Sequence, residues 1–80
     1  IQEKISLLIS NKAFINYRKQ IYSLIQNGFK FSLYLDNTFK TDIESMERLK
    51  MFNFIILDTT INNFDDINEK TKNIKNLIRT

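Results

Sequence analysis

Eighty residues, 42% of them apolar and 26% charged, suit one small globular domain able to bury about 60–65% of its unfolded surface. With no cysteine and no histidine, disulfides, thiolate nucleophiles, cysteine-based metal sites and imidazole general bases are excluded. The net charge is only +3 and no helix carries a clustered basic face with interleaved aromatics, so a nucleic-acid interface is not expected despite a pI of about 9.3.

Ile5-Ser6-Leu7-Leu8-Ile9 is a nearly continuous apolar run and predicts a first, central strand. It ends in the polar trio Ser10-Asn11-Lys12, where Asn11 has the chemistry of a helix N-cap. Phe14, Tyr17, Ile21, Leu24 and Ile25 recur at spacings of three and four and predict a helix, with Phe14 and Tyr17 in the core. Gly28, the only glycine, follows Asn27 where a left-handed C-cap would close that helix. Phe29, Phe31, Leu33 and Leu35 then alternate with Lys30, Ser32 and Tyr34, as in a strand with one buried face, and predict an edge strand.

A turn through Asp36-Asn37-Thr38 leads to Thr41-Asp42-Ile43-Glu44, which has the Thr-x-x-Glu form of a capping box. Ile43, Met46 and Leu49 mark the apolar face of a short second helix. Phe54-Ile55-Ile56-Leu57-Asp58 reads as a strand buried on both faces that ends in a carboxylate. Asp66-Ile67-Asn68-Glu69 opens a third helix, with Ile67, Ile74, Leu77 and Ile78 as its narrow stripe. Asp65, Asp66 and Glu69 precede Lys70, Lys72, Lys75 and Arg79, a polarity that complements a helix dipole.

The predicted order is β-α-β-α-β-α, and alternating strands and helices predict an α/β fold with a parallel sheet and right-handed crossovers. The patterning suggests strand order 2-1-3, the start of a flavodoxin-like doubly wound fold. Ser10, Asn11, Lys12 and Asp58 would then converge on one crevice at the carboxyl edge of the sheet. The outer edge of the third strand would stay open, implying either a missing C-terminal part or pairing with a second copy. No apolar run approaches the roughly 20 residues of a membrane span and no signal-peptide layout opens the chain, so a cytoplasmic setting is expected.

Over its whole length the chain resembles the receiver domain of two-component response regulators, about the first two-thirds of one. Phe52-Asn53-Phe54-Ile55-Ile56-Leu57-Asp58 is similar to the family's third strand with its phospho-accepting aspartate. Gly28-Phe29 and Asp65-Asp66-Ile67 match its flanking turns, and Asn11 and Asp58 lie near the expected separation. The resemblance implies that residues 1–80 form a single receiver-like domain lacking its C-terminal strands. It implies a signalling module that accepts a phosphoryl group on Asp58, or a phosphorylation-independent pseudo-receiver regulating an effector or transcription. Its partners would be a sensor histidine kinase or a fused effector domain, with a homodimer as a further arrangement.

The acidic pair that holds Mg²⁺ in receivers is replaced here by Asn11 and Lys12, which should weaken Mg²⁺ binding sharply. Lys12 could ion-pair with Asp58 instead. Asn62 and Asp66 stand where the family has a proline and a glycine.

The alternative is a degenerate fragment of a (β/α)-barrel enzyme such as a cyclic-dinucleotide phosphodiesterase. Gly28, a strand, an aspartate, a helix and a strand ending in Asp58 are compatible with that family. The lysine expected two residues before Asp58 is Ile56, so hydrolysis is not expected on either reading.

Overall fold

The computed structural model describes residues 6–80. Four parallel strands, β1 (Ser6–Ser10), β2 (Lys30–Leu35), β3 (Phe54–Leu57) and β4 (Leu77–Arg79), form one sheet. The helices are α1 (Asn11–Asn16), α2 (Arg18–Gln26), α3 (Ile43–Arg48) and α4 (Phe64–Thr71), and a 3₁₀ turn (Leu49–Met51) continues α3. The alternating α/β plan and parallel sheet match the expectation. Ile5, expected to open the first strand, lies outside the described residues.

The strand order is β1-β2-β3-β4, which corrects the expected 2-1-3. Leu8 pairs with Ser32 and Ser32 with Phe54, so β2 separates β1 from β3. Alternation in β2 had suggested an edge, whereas it reflects a sheet covered on one side only. Phe31, Leu33 and Leu35 point into a core shared with Ile55 and Leu57 and with the helix residues Phe14, Ile21, Leu49 and Ile67. Among the described residues the opposite face carries no helix: Leu8 is 60% exposed, and Phe54 and Ile78 are each 43% exposed. The apolar runs of β1 and β3 are therefore not buried on both faces. Sequential right-handed crossovers put every connection on the same side of a sheet, which accounts for this asymmetry.

Helix α4, the third helix of the predicted order, is shorter than expected. It ends at Thr71, Ile74 lies in the following turn, and Leu77 and Ile78 belong to β4. Backbone pairing seats β4 on the outer edge of β3, from Ile55 N–H to the Asn76 carbonyl (3.1 Å) through Thr80 N–H to the Leu57 carbonyl (2.9 Å). Asn76 strengthens the junction by donating its amide to the carbonyls of Phe52 and Asn53, both at 3.0 Å. The edge expected to be open is thus filled, and the sheet's outer strands are β1 and β4.

Helix ends show where local chemistry prevailed. The first helix is broken at Tyr17, whose backbone leaves helical geometry (φ −123°, ψ 33°) and whose ring is exposed, contrary to the expected burial. Phe14 is buried as expected and packs edge-to-face on Phe52 at 5.2 Å and on Tyr22 at 5.7 Å. Ser10, not Asn11, caps α1, accepting from Ala13 N–H at 3.2 Å. Asp42, not Thr41, caps α3, accepting from Ser45 N–H at 3.2 Å. Gly28 has the expected positive φ of 98°. Its N–H bonds to the Ile25 carbonyl and that of Phe29 to the Leu24 carbonyl, both at 3.1 Å, which is the paired closure of a Schellman motif.

Candidate functional site

The carboxyl edge of the sheet presents Ser10, Leu35-Asp36 and Leu57-Asp58 at the ends of β1, β2 and β3. Because β2 lies between β1 and β3, the crevice expected to join Asn11 and Lys12 to Asp58 is divided into two clusters, and a second carboxylate, Asp36, stands at the division.

In the first cluster Asp36 Oδ2 accepts from the Lys12 backbone N–H at 3.0 Å. Its Oδ1 accepts from Thr38 N–H at 2.9 Å and from the Thr38 hydroxyl. That hydroxyl in turn accepts from Asn11 Nδ2 at 2.9 Å. Asn11 is only 6% exposed, and its amide is turned onto a protein neighbour. Burial raises the Asp36 pKa, but these hydrogen bonds outweigh it and hold the group below the ordinary carboxylate value.

The second cluster centres on Asp58. Its Oδ2 accepts from the Tyr34 phenol. Its Oδ1 accepts from Thr60 N–H at 2.8 Å and from the Thr60 hydroxyl at 2.7 Å. The Tyr34 bond is the largest cause of a lowered Asp58 pKa, followed by the two Thr60 bonds, and it raises the Tyr34 pKa in return. The expected ion pair of Lys12 with Asp58 is not formed: among the described residues the ion pairs are all within helices or their ends, and Lys12 contributes through its backbone. The phenol and threonine bonds satisfy Asp58 where the lysine was expected to do so.

Two successive strands therefore end in the same local device. Asp36-Asn37-Thr38 and Asp58-Thr59-Thr60 each fold the aspartate carboxylate back onto the N–H and hydroxyl two residues later. The turns are tied together by Asn62 N–H donating to Asn37 Oδ1 at 3.1 Å. Sequence reasoning singled out Asp58 and missed Tyr34, Asp36, Thr38 and Thr60. The repeated Asp-x-Thr at the ends of two strands was the signal that could have found them.

Hydrogen-bonded carboxylates of this kind are poor free ligands for a hard cation, which needs several oxygens converging at once. Among the described residues no group of three or more acidic side chains converges, and Asn11 offers its amide to Thr38, so the residues present do not fit a Mg²⁺ site. A recess of about 130 Å³ beside Asn11 and Thr38, reaching Asp42 and Arg48, touches this edge. Among the described residues no helix is long and apolar enough to cross a membrane. Comparison of the chain with protein-family models, curated proteins and solved structures returns no match.

Proposed function

We propose that this chain is a regulatory α/β module of signal transduction that works without bond-making chemistry, built on the plan of a (β/α)-barrel segment of the cyclic-dinucleotide phosphodiesterase type. The observation that carries the reading is the sequential parallel order β1-β2-β3-β4, with its connections on one face. Singly wound barrels have that order, whereas a receiver needs its first strand between the second and third so that acidic pair and acceptor face each other. Three features of the site support a module without hydrolysis: Asp36 and Asp58 are committed to turns, Ile56 stands where a lysine would assist, and Asn11 is bound to Thr38.

The receiver reading stays as the second. It is favoured by the half-buried Asp58 carboxylate at the end of β3, which a small phosphodonor could reach.

One pair of incubations tests both. The chain is mixed with a cyclic dinucleotide and Mg²⁺ or Mn²⁺, and separately with acetyl phosphate and Mg²⁺. We expect no linear dinucleotide by chromatography and no acyl phosphate by intact mass. Turnover of the dinucleotide would overthrow the non-hydrolytic assignment. A phosphoryl adduct that disappears in both Asp58→Ala and the turn-preserving Asp58→Asn would establish the receiver reading in its place.

A further inference from the structure

A further recess lies away from both aspartate clusters. It is a groove of about 670 Å³ running along α3 and its 3₁₀ extension, with the α4–β4 connection as its other wall. Its floor is apolar: Leu49 is buried, and Met46 and Ile74 are half-buried. At its lip Ile43 is 82% exposed, the most exposed large apolar side chain among the described residues, although it sits in the first turn of a well-capped helix. Nothing about the fold requires an isoleucine there.

Charge on the rim is one-sided. Lys50, Lys70 and Lys75 border the groove against the single carboxylate of Glu47, and Asn73 and Asn76 add amides. Lys50 pairs with Glu47 at 2.8 Å and Lys70 with Asp66 at 3.2 Å, both as exposed pairs along one chain segment. Such pairs contribute little and exchange readily for a new anion. Lys75 has no ion-pair partner among the described residues. A volume of this size with an apolar floor and a few polar groups at its mouth is ordinary for a small-molecule site. Lysine stems add apolar wall while their ammonium groups stay in water.

We infer that this groove binds a monomeric, single-chain anionic amphiphile, a medium-chain carboxylate with its tail along Ile43, Met46, Leu49 and Ile74 and its head among Lys50, Lys70 and Lys75. Charge complementarity selects this occupant. A neutral ligand would make no use of Lys75, which lacks an ion-pair partner among the described residues, and a short organic anion would leave the apolar floor wet. The inference is independent of the reading of the carboxyl edge.

The test is a titration of the 80-residue chain with dodecanoate below its micelle concentration, followed by amide NMR shifts and calorimetry. Shifts should concentrate on Ile43, Met46, Lys50, Lys70 and Ile74. Affinity should rise about threefold to fourfold for each methylene added from octanoate to dodecanoate. Dodecanol should bind more weakly, and Lys50→Met with Lys75→Met should lower dodecanoate affinity by about fivefold. Ile43→Asp, at an exposed position, should weaken binding while leaving the thermal melt in place. Equal binding of dodecanol, shifts centred on Leu8, Phe54 and Ile78 of the uncovered sheet face, or binding to anionic vesicles without binding to the monomer would each overturn the assignment. So would concentration-dependent self-association that is lost in Ile43→Asp, because a second copy would then be the occupant.

Discussion

The position of β2 between β1 and β3 can be tested with two designed disulfides, because the chain has no cysteine of its own. Leu8 and Ser32 are register partners on neighbouring strands, and Phe54 is the next partner across. Strand spacing places the first pair about 4.8 Å apart and Leu8 about 9.6 Å from Phe54. A disulfide needs Cα atoms within about 7 Å, so Leu8→Cys with Ser32→Cys should close under mild oxidation and Leu8→Cys with Phe54→Cys should not. The closed loop holds 25 residues, counted 8 through 32. The chain-entropy model then gives about 3.5 kcal/mol of stabilisation before any strain is subtracted. For a domain of this size that is an increase in Tm of about 15–30 °C before strain, read by circular dichroism with and without reductant. Free-thiol titration and non-reducing gel mobility report closure itself. Closure of Leu8→Cys onto Phe54→Cys as well as onto Ser32→Cys would restore order 2-1-3, in which the first strand neighbours both others, and remove the main support for the barrel-segment reading.

Four further outcomes follow from the same structure. Leu35→Ala, in a fully buried side chain of β2, should cost about 2–5 kcal/mol in urea unfolding, whereas Leu7→Ala on the outer strand should cost less than about 1.5 kcal/mol; similar costs would mean that β2 is not central. Gly28→Ala should destabilise by about 1–2 kcal/mol although an added Cβ meets nothing within 4 Å, since the cost lies in holding φ at 98°; D-alanine at the same position should be neutral or stabilising, and a neutral L-alanine would contradict this. Asp42→Ala removes the α3 cap and should cost about 0.5–2 kcal/mol, while Thr41→Ala should leave the cap intact; the reverse ranking would make Thr41 the cap after all.

The Tyr34–Asp58 bond should give stability a two-sided pH window. Asp58 has a folded pKa below its ordinary value, so its contribution is present above the unfolded pKa and lost as pH falls through the folded one. Tyr34 has a folded pKa above its ordinary value, so its contribution is present below the unfolded pKa and lost as pH rises through the folded one. In Tyr34→Phe the Asp58 carboxyl ¹³C titration should move up towards the ordinary carboxylate value, and an unchanged midpoint would show that the phenol does not hold it.

The aspartate turns also bear on how mutations at this edge should be read. Loss of Asp58 removes acceptors for Tyr34 and Thr60 together, so a phenotype of Asp58→Ala reports on the turn as much as on any chemistry. Asp58→Asn keeps an acceptor oxygen for the Thr60 amide and separates the two effects.

Several features were legible in the residues themselves. The α/β alternation, the parallel strands ending at Leu35 and Leu57, the helix stop at Gly28 and the burial of Phe14, Leu33, Leu35 and Leu57 all follow from local periodicity and backbone preference. These are short-range properties, settled within a few residues. Strand order is not. The apolar run Leu7-Leu8-Ile9 looked central and the alternating Phe31–Leu35 looked peripheral, yet the sheet reverses them, because alternation reports how many faces are covered and not how many neighbours a strand has. Leu77 and Ile78 satisfied a helical stripe by spacing, and pairing with β3 claimed them for a strand, a choice made by a partner more than 20 residues away. Asp58 could be seen from the sequence as a carboxylate at a sheet edge. Only the fold brought Tyr34 to one of its oxygens, kept Lys12 on the neighbouring carboxylate, and gave Asp36 an equal place, since those meetings depend on which strands lie side by side.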